Sequence, residues 1–348
     1  MNDVQWKKLI DVINGNSQET IPAGFIIDSP WLPEWYGIST IDYFTNDRLW
    51  FEANMKAVET FPDVMFLPGF WAEYGMCTEP SAFGAKCSFQ RNGLPHADKI
   101  ISCVNDIDSL TLPKTETDGL APFVLNRLRL NRTKIEGIGH SVRFAAARGP
   151  LNIASFLMGT TEFLMALRTD PEKVHKLLEI ITEYTENWLR LQKQEFPTID
   201  GILILDDIVG FCGEPDFKEF ASKYLKRIFS AFDCSVRFFH NDADGKGCSS
   251  HLAEVGVNMF NFSFLHSIKE MKEWTGGEVA LFGNIPPRDV LASGTPEEVS
   301  ECVKAAFAGT EDKSGIIASA GGGMPDGVPT ENIRSFTSAL GDITSSPS

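Results

Sequence analysis

Short apolar runs that stop at Gly, Pro, Asp or Asn alternate along this chain with stretches of helical period. Eight such runs stand out, at 24–27, 64–68, 142–147, 201–205, 236–240, 259–262, 279–283 and 315–319. Brief apolar runs between turn signals read as strands covered on both faces, and their alternation with helices is the pattern of parallel βαβ units. Two helix starts are well punctuated. In the first, Asp170 can cap, Pro171 suits the first turn, and Val174, Leu177, Leu178, Ile181, Trp188 and Leu191 share one face. In the second, Thr295, Pro296, Glu297 and Glu298 lead into Val299, Cys302, Val303 and Ala306 at helical spacing. Eight alternations predict an α/β fold, a (β/α)8 TIM barrel forming a single domain over 1–348. The segment 77–132 is rich in Gly, Pro and Asn and weak in periodicity. It is expected to be a long insertion after strand 2, lying over the barrel mouth.

Composition narrows the functional classes. Of 348 residues, 43% are hydrophobic and 22% charged, so the chain can bury a large core and is not globally disordered. Lys and Arg number 31 against 47 Asp and Glu, a formal charge of -16 with no long basic run, which argues against nucleic acid or an anionic membrane as partner. The N-terminus lacks the pattern of a signal peptide and nowhere do eighteen apolar residues run together, so a cytoplasmic location is expected. The 7 cysteines are scattered without a CxxC pair, which predicts free thiols and no disulfide.

Active sites of such barrels are built at the C-terminal ends of the strands. Those ends present Asp28, then Trp71 and Glu73, Arg148, the pair Asp206 and Asp207, His240 with Asp242, Asn261, Asn284, and the glycines 321–323. His240 and Asp242 leave a strand into a sharp turn, where imidazole and carboxylate can converge on a divalent metal. The same residues equally make a buried cap and an Asx-turn. Strand alternation sends one of Asp206 and Asp207 into the mouth and the other toward the helices. The inward one can serve as ligand, general base or acceptor for the imidazole, or equally make only a helix cap or loop hydrogen bond. The glycines 321–323 suit either phosphate on backbone N–H groups or simple close approach, and no GxGxxG points to a dinucleotide. Trp31, Trp35, Tyr36, Phe70, Trp71 and Tyr74 form two aromatic clusters that can pack a lid or wall a bulky ligand. A nucleophile elbow, a Walker loop and HExxH are all absent.

Read together, several stretches resemble the uroporphyrinogen decarboxylase superfamily, the barrel group that includes the corrinoid-dependent methyltransferases. They are EYGMCTEPSAFGAK (73–86), RGPLNIASFLMG (148–159), ILDDIVG (204–210), FHND (239–242), LFGNIPP (281–287) and SAGGGMPDGVPTENI (319–333). The resemblance spans nearly the whole chain and is most specific in the last two stretches. It implies the barrel independently of strand counting.

The branches of that superfamily differ at residues that can be read here. True uroporphyrinogen decarboxylases carry arginines in an N-terminal segment that grips tetrapyrrole propionates, whereas the matching 22–39 has neither Arg nor Lys. Thiol-methylating corrinoid enzymes hold zinc with a His, a Cys two residues later and a late Cys. Here His240 matches the first, Asp242 stands for the second and Gly322 for the third. Demethylases that load a corrinoid protein from methyl ethers resemble this pattern more closely, with carboxylates and His as ligands. An oxygen-rich zinc site polarises an ether or amine leaving group, while a thiolate-rich one suits thiols.

The resemblance therefore implies a corrinoid-dependent methyltransferase that demethylates a small methylated substrate. Its cobalamin would come from a separate corrinoid protein, because no further domain is left over. Zinc would be held by His240 and Asp242. Asp206, Asp207 and Glu73 are the catalytic candidates, and Asp28, Trp31, Trp71, Arg148, Asn284 and Gly322 the substrate-binding ones. The alternatives are a decarboxylase of a smaller or differently charged acid and a non-catalytic barrel binding a small ligand or tetrapyrrole.

Overall fold

The computed structural model describes residues 1–16, 18–307, 310 and 312–345. Among the described residues eight parallel strands form the barrel: β1 (Gly24–Ile26), β2 (Met65–Leu67), β3 (Phe144–Arg148), β4 (Gly201–Leu205), β5 (Val236–Asn241), β6 (Met259–Phe262), β7 (Ala280–Ile285) and β8 (Ile316–Ala320). Each lies on one of the eight apolar runs, with ends shifted by at most two residues. β3 to β8 pair in sequence order, and β1 pairs β2 with Gly24 opposite Met65. A bridge between Ala23 and Ala318 brings β1 beside β8. No ladder joins β2 to β3 among the described residues. No helix among the described residues is long and apolar enough to cross a membrane.

Strand alternation divides the apolar residues between two cores. One fills the barrel with Ile26, Met65, Leu67, Phe144, Leu203, Leu205, Val236, Phe238, Met259, Phe282 and Ile317. Helix Asp3–Ile13 adds Trp6, Leu9 and Val12 to it. The other lies between strands and helices, with Phe25, Ile202, Ile204, Phe239, Phe260, Leu281 and Ile316. Burying each such side chain is worth about 1.5–3 kcal/mol, so the inward or outward phase of every strand is strongly specified.

Both punctuated helices form, over Pro171–Glu195 and Pro296–Phe307. Thr295 and Glu298 make a reciprocal capping box, with bonds of 3.2 and 2.7 Å. Asp170 holds the N-cap position of the first helix, but its side chain makes no capping bond. Pro171, whose missing N–H needs no partner, starts that helix instead.

The segment 77–132 carries more regular structure than its composition suggests. It holds helix Thr78–Ala82, a short hairpin of Cys87–Ser88 with His96–Ala97, and the start of helix Ala121–Gly137, which runs on past residue 132. That helix escaped the periodicity because its buried face mixes Val124, Leu125, Leu128 and Ile135 with Arg127 and Asn131. Arg127 is tolerated there by an ion pair to Asp47 at 2.9 Å and by the rings of Trp50 and Tyr74 at 5.6 and 5.1 Å.

Candidate active site

Where the inward phase reaches the C-terminal end of a strand or runs past it, the side chain enters the barrel mouth rather than the core. This places Asp28 after β1, Arg148 at the end of β3, Asp207 after β4, and His240 and Asp242 at and beyond the end of β5. All five line one cavity of about 910 Å³, together with Trp71 and Glu73 from the loop after β2. The loop after β2 and the following segment add Gly75, Met76, Arg91, Asn92, Gly93 and Leu94.

One wall is a His–carboxylate cluster. A ligand atom from each of Asp207, His240 and Asp242 lies within 4.8 Å of the others. Nε2 of His240 is 3.4 Å from Oδ1 of Asp207, and the backbone N–H of Asp242 donates to the same oxygen at 3.3 Å. Nδ1 of His240 is 2.6 Å from Oδ1 of Asn261. The Asn261 amide is oriented by its own donations to the carbonyls of Phe282 and Ala320, at 2.7 and 3.1 Å, so its oxygen must accept from His240. The imidazole therefore carries a proton on Nδ1 and turns Nε2 to the carboxylates. Burial, and then the facing Asp207 carboxylate, push Asp242 above the usual range, a repulsion that a cation between the two would relieve. One imidazole nitrogen and two carboxylates suit Zn²⁺ or a harder divalent ion.

Gly322 stands behind this cluster at φ +145°, where a Cβ would lie 3.1 Å from Oδ2 of Asp242. Only glycine both adopts that backbone and leaves room for the carboxylate.

A second part of the lining is an acid–base network across the unpaired β2–β3 seam. Nη2 of Arg148 donates to both carboxylate oxygens of Glu73, at 3.0 and 2.8 Å, and its guanidinium lies 5.4 Å from the Trp71 ring centroid. Asp28 lines the same cavity, and its carboxyl and that of Glu73 each shift the other's titration. Burial raises Glu73 well above its ordinary value and raises Asp28, although Arg148 opposes both shifts. Glu79, buried in helix Thr78–Ala82, accepts the backbone N–H of Arg148 at 2.9 Å. Sequence reasoning missed Glu79 and placed Asn261 at a strand end without a role, since neither a short helix nor an inward strand position marks a polar residue as a positioning group.

Three expected site residues lie elsewhere. Asp206 follows the outward phase of β4, and its carboxylate accepts the N–H groups of Leu151 and Asn152 at 2.9 and 3.0 Å. It thus caps helix Pro150–Met158, whose own N-cap residue Gly149 has no side chain to do so. A Cβ on Gly149 would fall 2.3 Å from Oδ2 of Asp206. Trp31 is fully buried, stacked on Trp35 at 4.7 Å and donating to the Val328 carbonyl at 3.0 Å. Asn284 donates to the His266 carbonyl and lines a separate cavity beside Phe264 and Ile268. Of the two aromatic clusters only Trp71 reaches the main cavity. Phe70 packs on Phe51 and Tyr74 on Phe44, because rings near a strand end gain more from core contact than from solvent.

A family model described as uroporphyrinogen decarboxylase (URO-D) matches residues 7–343. The chain is 23% identical over 280 residues to the uroporphyrinogen decarboxylase of Psychromonas ingrahamii, covering 77% of this chain and 76% of that one. It is 23% identical over 337 residues to that of Photobacterium profundum, covering 90% of each. Among solved structures it is similar to a methyltransferase from Methanosarcina mazei, with TM-score 0.80 at 20% identity over 96% of this chain and 97% of that one. A B12-independent methionine synthase from Shewanella sp. W3-18-1 matches with TM-score 0.55 at 12% identity over 93% and 97% of the two chains. Both structural likenesses are likenesses of fold.

Proposed function

The chain belongs to the uroporphyrinogen decarboxylase family, and from that premise we propose that it is a cytoplasmic, metal-assisted methyltransferase. It would move a methyl group between a small methylated donor and the cobalt of a separate corrinoid protein. The observation that carries this reading is the cluster of Asp207, His240 and Asp242 at the mouth, with the imidazole already turned to present Nε2. These three residues would hold the metal, which when bound supplies Lewis-acid polarisation of the heteroatom that the methyl group leaves.

The chain's own groups would do the remaining work. Asn261 fixes the His240 ring, the Asp242 N–H steadies Asp207, and Gly322 gives Asp242 its room. Trp71 and Arg148 form a flat wall against which a small donor can lie. A cavity of about 910 Å³ exceeds what such a donor fills, which leaves space at the mouth for one face of a macrocycle brought by a partner. A polyanionic tetrapyrrole substrate is disfavoured by the lining. Asp28, Glu34, Glu73, Asp207, Asp242 and Asp326 face it against Arg91, Arg148 and Arg288, and Arg148 is already engaged by Glu73.

The test is elemental analysis combined with a screen of methyl donors against reduced cobalamin, for the wild type and His240→Ala. A stoichiometric divalent metal that is lost in His240→Ala, with formation of methylcobalamin by the wild type alone, is the expected result. A metal-free wild type that releases CO2 from a small acid would support a decarboxylase instead.

A further inference from the structure

The cations that line the main cavity do not cover its carboxylates. Asp207 and Asp242 belong to the metal cluster, and Glu73 holds Arg148 through both of its oxygens, at 3.0 and 2.8 Å. Asp28 has no such partner. Among the described residues it makes no ion pair, and no lysine lines the cavity. Arg148 does act on Asp28, but its charge is already matched by Glu73. The other lining charges, Glu34, Arg91, Arg288 and Asp326, are all exposed, so water screens them. With a divalent ion at the cluster, Asp28 is the inner carboxylate left without a counter-charge.

Ser29, next to Asp28, lines the same cavity, is only 3% exposed, and has a buried hydroxyl with no partner. Such an unpaired polar atom costs about 1–3 kcal/mol, which a ligand bonded to it would remove. The backbone that carries the two residues is firmly held. The Asp28 carbonyl accepts the N–H groups of Trp31 and Leu32 at 3.2 and 3.0 Å, and the Ile26 carbonyl accepts that of Met324 at 2.9 Å. Indole N–H bonds from Trp31 and Trp35 to Val328 and Thr330, both 3.0 Å, tie this loop to the one after β8. Asp28 and Ser29 are thus a preorganised acceptor pair.

We propose that the methyl donor bears a positively charged amino group, bound between the Asp28 carboxylate and the Ser29 hydroxyl, with its methylated heteroatom at the metal cluster. The substrate class is a small methyl ether or thioether of an amine, and the inference rests on the methyltransferase reading above. The ammonium N–H groups donate to the carboxylate and to Oγ of Ser29, which both accept. An anionic donor would set a second negative charge against Asp28, and a neutral one would leave its charge unmatched. Burial opposes ionisation of Asp28, and a bound ammonium favours it, so charge recognition is realised only when the cation is present. Trp71, lining the same cavity, offers apolar contact to the carbon skeleton between the two ends.

The experiment uses three donors of matched shape, para-methoxybenzylamine, para-methoxybenzyl alcohol and para-methoxybenzoate, and has two readouts. Calorimetric titration of the zinc-loaded protein at neutral pH reads binding without any turnover. The amine should bind about 10-fold or more tightly than the alcohol, the usual gain from a charged hydrogen bond, and the benzoate should bind weakest. Asp28→Asn should abolish the preference for the amine over the alcohol, and Ser29→Ala should reduce it, with zinc content unchanged in both variants as proof of an intact cavity. An amine that binds no better than the alcohol, or not at all, overturns the proposal. So does a preference that survives in Asp28→Asn. Methyl transfer to reduced cobalamin is then followed with the same three compounds. Transfer without a preference for the amine overturns the cation site and leaves the methyltransferase reading standing, whereas the amine preference without transfer from any of the three overturns that reading and leaves the cation site.

Discussion

His240 and Asn261 are joined by a 2.6 Å hydrogen bond between Nδ1 and Oδ1 at the inner ends of adjacent strands. Because the Asn261 amide is committed to two backbone carbonyls, this one bond selects the imidazole tautomer that can ligate through Nε2. Asn261→Ala should leave the fold intact and weaken metal binding by about 10–100-fold, the usual effect of losing such an outer partner. Competition with a chromophoric chelator measures it. Unchanged affinity would show that the ring is held by packing alone.

Asp206 and Asp207 are neighbours with opposite duties, and their alanine variants should separate. Asp206→Ala strips a cap from two helix N–H groups and should cost about 2–3 kcal/mol in urea unfolding while the surviving folded protein keeps its metal. Asp207→Ala should lose the metal and, measured against the metal-free wild type, leave the unfolding midpoint nearly unchanged. The opposite pairing of effects would invert the assignment of the two aspartates.

Gly322→Ala places a methyl group 3.1 Å from Oδ2 of Asp242 on a backbone that disfavours side chains. The variant should be destabilised by about 1–3 kcal/mol and should bind metal more weakly, since the carboxylate must move. Both follow from thermal melts with and without added zinc, which should stabilise the variant less than the wild type.

All seven cysteines are free. Burial pushes Cys212 and Cys248 up to about 12 and Cys234 up to about 11. A raised thiol pKa means less thiolate at any given pH, so at pH 9 a thiol near 12 is only about one part in a thousand ionised. In the native protein exposed Cys103 should react with an aromatic disulfide reagent, and those three should stay silent from pH 7 to 9. Denatured, unreduced protein should titrate all seven.

Residues 73–95 are expected to close over bound ligand, since Gly75, Arg91, Gly93 and Leu94 already line the cavity. Trypsin cleavage at exposed Arg91 should slow when cobalamin or a methyl donor is present. Equal rates at saturating ligand would make this segment fixed scaffold.

The sequence by itself determined the barrel, its eight strands and the strand ends at which chemistry could sit, because a strand buried on both faces needs a continuous apolar run and must stop at a turn. Alternation also required Asp206 and Asp207 to part, but it gives only relative phase. Which of them faces the mouth was decided when Leu203 and Leu205 took the barrel interior and Ile202 and Ile204 the helix side. Tertiary structure alone drew Trp31 into the core, turned Asn284 toward a different cavity, and gave helix Ala121–Gly137 a buried arginine that hid its period. It also brought Glu73 into contact with Arg148, and set both in one cavity with Asp28, from strand ends far apart in the chain. Local patterns record how each strand divides its own two faces. They carry no record of which strand ends meet, since that is set by closure of the barrel.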